Sequence, residues 1–120
     1  MNACPICQHP SLTVTTYLCN DCALIIQGHF TLPRLARLPA DSQKLAEHLI
    51  LCGGNLKQMT EKLNISYPTL RKQVDSLILQ LHELQQHDQQ RIEEIMDKME
   101  RGAMKAEQGI RLIKEINGEL

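Results

Sequence analysis

The sequence predicts a mainly α-helical protein with a small β module at its N-terminus, a trihelical helix-turn-helix in the middle and a helical hairpin at its C-terminus. Three observations predict it. Four of the five cysteines fall in the first 22 residues, as two C-x-x-C pairs around the β-branched stretch LTVTTYL. From residue 41 onward, apolar residues recur at steps of three and four, as one face of a helix requires. Gly53, Gly54, Asn64 and Gly102 interrupt that pattern where helices should end.

Composition bounds the problem. At 120 residues the chain is one domain or two small modules. It has one Phe, two Tyr and no Trp, so its core must be aliphatic and helped by a local staple. No apolar run is long enough to span a membrane. No basic start followed by an apolar stretch marks a secretory signal, so the expected location is the cytoplasm. In that reducing compartment, paired cysteines bind metal more often than they form disulfides. The formal net charge is −1, and it is unevenly spread: +1 over residues 1–40, zero over 41–87 and −2 over 88–120. Any affinity for nucleic acid must therefore come from a local patch.

The N-terminal module, residues 1–32, carries Cys4 and Cys7 in one pair and Cys19 and Cys22 in the other. Two intervening residues let the backbone fold a knuckle that aims both thiolates at one point, and two knuckles supply four sulfurs. That set suits tetrahedral Zn²⁺, with Zn–S distances of about 2.3 Å. Pro5 presets φ at the first knuckle. LTVTTYL and ALIIQGHF read as the two strands of a hairpin, which makes this a zinc-ribbon pattern. The alternatives are two disulfides or two redox sites; a redox C-x-x-C opens a helix in a βαβ setting, which is missing here. One Zn²⁺ per chain, fully bound by thiolates, leaves no position for water and is structural. His9 and His29 read as surface residues, and Cys52 as a small buried hydrophobe.

Residues 33–40 hold Pro33 and Pro39 and read as a linker. The helix-turn-helix is expected over residues 41–86. Asp41 or Ser42 is the expected cap of its first helix, with Leu45, Leu49 and Cys52 on one face and Ile50 alongside. Gly53 and Gly54 end that helix. Asn55 caps a second helix, whose Leu56, Met59 and Leu63 point inward. Asn64 suits the left-handed turn, and Ile65 anchors it. Thr60 takes the small-residue place where the helices cross. Ser66 can cap the third helix, with Pro68 tolerated in its first turn and Leu70, Val74 and Leu77 forming its buried stripe. The outward positions are Ser66, Tyr67, Thr69, Arg71, Lys72 and Gln73, in the two turns that would enter a major groove. Arg71 suits guanine or phosphate, Lys72 phosphate, Gln73 adenine, and Thr69 a thymine methyl. Asn55 and Lys57 would grip the backbone of double-stranded DNA. The competing reading is a solvated charged face on a scaffold helix.

GNLKQMTEKLNISYPTLRKQVDSL resembles the Fis-type helix-turn-helix. Taken with CPIC, CNDC and IIQGHFTLPRLARLP, it resembles the bacterial family called domain of unknown function 2089, over about residues 4 to 80. The resemblance implies a zinc ribbon joined to a DNA-binding-like helical domain in the cytoplasm, and no demonstrated activity.

A heptad-like seam continues through Leu77, Leu81 and Leu84. The polar run QQHDQQ at residues 85–90 then reads as a solvated helix or a linker. Residues 87–120 form the expected hairpin, with Ile92, Ile95, Met96 and Met99 before Gly102, and Ile110, Ile113 and Ile116 after it. It resembles the short helical hairpin at the start of some bacterial cell-envelope-stress proteins. It departs from them at Lys105, where a capping Ser or Thr is expected, and at Gly109, where Ala is expected. Gly109 would either weaken the helix or permit close helix approach. So short a hairpin cannot bury its own apolar face, so the seam residues are expected to pair with a second copy in a homodimer, or with a partner protein. The alternative is that they pack back onto their own chain. No enzyme is expected: His82 and His87 have no evident partner, and CGGNLK lacks the spacing and Gly-Lys-Ser/Thr ending of a phosphate loop. The function expected is a sequence-specific DNA-binding transcriptional regulator. The alternative is an adaptor whose ribbon and hairpin bind proteins and whose helix-turn-helix has lost its DNA role.

Overall fold

The computed structural model describes residues 3–9 and 12–119. The order of elements is β1 (Val14–Leu18), β2 (Ile25–Phe30), α1 (Arg34–Arg37), α2 (Ala40–Leu51), α3 (Leu56–Leu63), α4 (Tyr67–Glu100) and α5 (Ala106–Ile116). The protein is thus mainly helical with one small N-terminal antiparallel sheet. It divides into two compact units: residues 1–33 together with 90–120, and residues 34–89. The β module and the helical hairpin fall in one unit, and the expected linker falls in the other.

In the first unit, β1 and β2 pair with Thr16 opposite Gln27, Tyr17 opposite Ile26 and Leu18 opposite Ile25. The register shifts between Val14 and Thr16, and the Tyr17 and Phe30 rings meet edge to face, 4.7 Å between centroids. The C-terminal hairpin in the same unit has its own aliphatic core. Ile92 and Ile95 of α4 and Ile116 of α5 are buried, with Met99, Met104, Leu112 and Ile113 packed around them. Of the hairpin residues expected to meet a second copy, Ile110 is 51% exposed, while Ile92, Ile95, Met99, Ile113 and Ile116 have partners within their own chain. The reason is the reversal at Gly102 (φ +71°), which lets α5 fold back along α4. Gly109 is buried where the two helices approach. A Cβ there would overlap the Met99 side chain, 2.7 Å from its Cγ, which gives the glycine its packing role.

In the second unit, Met59, Leu70 and Val74 form the centre of a core closed by Leu45, Leu49, Cys52, Leu56, Leu63 and Ile65. Cys52 is half-buried in this core, as a small hydrophobe. Leu77 is also buried, while Leu81 and Leu84 are half-buried.

Two local expectations are corrected. First, neither Asp41 nor Ser42 caps α2. Pro39 is its N-cap, with φ −55° and ψ 153°, and the helix begins at Ala40, which puts Asp41 in the first turn. The Ser42 hydroxyl donates instead to Gln80 Oε1 of α4, at 2.6 Å. Second, Ile50 is not a core residue: it is 69% exposed. The polar run at residues 85–90 is helix, because α4 continues unbroken for 34 residues, about 50 Å at 1.5 Å per residue. Gln is a good helix former, and no Gly or Pro interrupts the run.

Helix ends are closed by one device used three times. After α2, the Gly53 N–H reaches Ile50 O and the Gly54 N–H reaches Leu49 O, with Gly53 at φ +62°. Gly102 and Ala103 close α4 with the same pair of bonds, and Gly118 and Glu119 close α5. Each satisfies two carbonyls that the helix leaves without partners.

Candidate nucleic-acid interface and cysteine knuckles

The turn between α3 and α4 is built locally. Asn55 caps α3, its side chain accepting from the Gln58 N–H at 3.2 Å. Asn64 ends α3 in the left-handed region (φ 53°, ψ 48°), where Asn is tolerated better than most non-glycine residues. The Ile65 N–H bonds back to Thr60 O at 3.2 Å, and Ile65 packs on the core. The Thr60 hydroxyl turns back to Lys57 O, at 2.6 Å. Ser66 caps α4 by accepting from the Thr69 N–H at 3.4 Å, and its hydroxyl donates to Thr69 Oγ1 at 2.8 Å. Asn55, Ser66 and Thr69 thus each spend a side-chain oxygen on shaping the turn.

Beyond the turn, Tyr67, Thr69, Arg71, Lys72 and Gln73 are all exposed, as are Asn55 and Lys57. They do not share one line. At roughly 100° per residue, Lys72 lies almost opposite Leu70 and Val74, with Arg71 on one flank and Thr69 and Gln73 on the other. Gln73 also borders a cleft of about 300 Å³ shared with Asp41, Ser42, Leu45 and Ser76. Arg71 pairs with Asp75 one turn on, at 3.1 Å, and both side chains are at least half exposed. Such a pair is worth about 0.5 kcal/mol, so Arg71 can leave it at little cost.

A second polar cluster lies in the same unit and was not anticipated. Asp88 is fully buried, and both its oxygens are taken by arginines of α1. Arg37 forms a fork, Nη1 to Oδ1 at 2.9 Å and Nη2 to Oδ2 at 2.7 Å, and Arg34 Nε adds a bond to Oδ2 at 2.9 Å. Burial raises the carboxyl's pKa, but hydrogen bonding and charge from Arg37, then Arg34, outweigh it and hold the group below its ordinary range. Gln43 secures the other end of α1, its amide donating to Ala36 O and Leu38 O at 2.9 Å each. The expected linker is therefore a docked element, with Leu38 fully buried. In the sequence, the only signs were two arginines three residues apart and an aspartate inside a glutamine run.

The two C-x-x-C pairs adopt one conformation twice. Gln8 N–H bonds to Cys4 O at 2.8 Å and Ala23 N–H bonds to Cys19 O at 2.9 Å. Cys4 N–H reaches His9 O and Cys19 N–H reaches Leu24 O, five residues on in each case. Gln8 and Ala23 both sit at φ 60°, a costly angle for non-glycine residues that recurs at the same place in each turn. Backbone N–H groups of Cys7 and then Ile6 lower the pKa of the Cys4 thiol, and those of Cys22 and then Asp21 lower that of Cys19. Within each pair the two thiols also hydrogen-bond. The structure brings Cys4 to Cys7 and Cys19 to Cys22. Among the described residues, no three His, Cys, Asp or Glu side chains converge as a metal-binding group. The donor set, soft thiolates stabilised by amide hydrogen bonds, fits Zn²⁺ pair by pair.

Helices α2 and α3 and the first turns of α4, joined through a left-handed turn and ending on an open polar face, have the arrangement of a helix-turn-helix. Residues 38–83 match the family described as Domain of unknown function (DUF2089)-HTH. No curated protein and no solved structure matches the chain. Among the described residues, no helix is long and apolar enough to cross a membrane.

Proposed function

We propose that this protein is a sequence-specific DNA-binding regulator of transcription. One observation carries the reading: within a segment that matches a helix-turn-helix family, the first two turns of α4 present Tyr67, Thr69, Arg71, Lys72 and Gln73 to solvent. Lys72 stands furthest from the core and enters a major groove most deeply. Arg71 and Gln73 flank it towards base edges, and Lys57 with the N-terminus of α3 holds the phosphate backbone. Two copies would read two half-sites.

Cys4, Cys7, Cys19 and Cys22 would hold one Zn²⁺, which cross-links the two knuckles and supplies no reaction chemistry. The repeated knuckle turn supports this reading. The exposed apolar residues of the β module favour a second role, as a protein-contact adaptor: Ile6 is 91% exposed, and Leu24 and Ile25 are each 58% exposed.

Selection from a pool of random duplexes, followed by binding across salt concentrations, tests the proposal. A regulator enriches a site, and its affinity falls steeply with salt. Replacing Lys72 by Ala lowers duplex affinity, and replacing Arg71 or Gln73 relaxes the site. No enriched site and a flat salt response would leave the adaptor reading instead.

A further inference from the structure

We infer that two copies of this chain pair through the α1–α2 surface, about a two-fold axis crossing α2 near residues 45 and 46. This goes beyond the proposed DNA role and does not depend on it. Ile92, Ile95 and Ile116 of the hairpin are covered within their own chain, and α1 and α2 carry a separate exposed apolar face. This face surrounds a groove of about 590 Å³ in the second unit. Leu35, Ile50 and Leu51 line it and are 50%, 69% and 68% exposed. On α2 this face lies roughly opposite Leu45, Leu49 and Cys52, which point into the core.

Charge identifies the occupant. The groove carries two charged residues, Lys44 and Glu47, of opposite sign and three positions apart on one helix. When a second α2 lies antiparallel across an axis between them, each Lys44 meets the other copy's Glu47. The same axis sets Ala40 against Leu51, a small side chain against a large exposed one. A groove that complements itself in both charge and size is what an isologous contact requires.

The test uses the full chain. Sedimentation over a wide concentration range shows a reversible dimer. Ile50→Lys or Leu51→Lys gives a monomer with an unchanged helical spectrum; Ile50→Ser is the milder variant should either misfold. Lys44→Glu and Glu47→Lys each weaken association by about tenfold, because every change counts at two symmetric contacts. The double reversal restores it, since opposite charges face each other again. Three results overturn the inference: a monomer at all concentrations, a dimer that survives Ile50→Lys and Leu51→Lys, or a double reversal as weak as the singles. A monomer that captures another protein through this groove would also reject a second copy as its occupant.

Discussion

Removal of the buried carboxylate tests how the α1 segment is held. Asp88→Ala deletes three charge-assisted hydrogen bonds, at 2.7 to 2.9 Å, that Arg34 and Arg37 make to this carboxylate. Breaking a buried pair on one side costs about 3–5 kcal/mol when the remaining charge stays buried. The arginine side chains are 35% and 20% exposed, so both can recover part of their hydration. The expected loss is therefore about 2–4 kcal/mol. Urea unfolding followed by helical circular dichroism measures it, and amide exchange at Ala36 to Leu38 localises it. The carboxyl's folded pKa is lowered, so its stabilisation is fully present above the ordinary value of 3.8 and is lost as pH falls through the lower folded value. Asp88→Asn, which cannot ionise, should lack that acid-side loss. A change below about 0.5 kcal/mol, with unaltered exchange in α1, would refute the view that this carboxylate fastens the segment.

Three other perturbations follow from the packing and the turns. Gly109→Ala should destabilise the hairpin by about 1–2 kcal/mol despite the better helix propensity of Ala, because the new methyl meets Met99; adding Met99→Ala should relieve the clash, as thermal melts of both variants will show. Asn64→Gly should leave stability within about 0.5 kcal/mol or raise it, while Asn64→Val at φ 53° should cost about 1–2 kcal/mol in chemical denaturation. Purified chain should carry one zinc per protomer by elemental analysis, and chelation or Cys19→Ser should collapse the β module while the helical signal of residues 34–89 persists.

What the sequence determined by itself is local. The helix ends at Gly53–Gly54 and Gly102, the cap at Asn55, the left-handed turn at Asn64 and the cap at Ser66 each depend on residues within five positions, so spacing and residue type sufficed. The two cysteine turns were legible for the same reason. The tertiary structure alone decided what sits opposite what. Arg34 and Arg37 find Asp88 from 54 and 51 residues away, which turns a proline-flanked linker into a docked helix and a glutamine run into part of its mooring. Gly109 owes its place to Met99 on another helix, and Ile92, Ile95 and Ile116 are covered by their own chain. Hydrophobic periodicity marks which face will be buried but carries no information about its partner, because apolar attraction is non-directional and any matching surface can satisfy it.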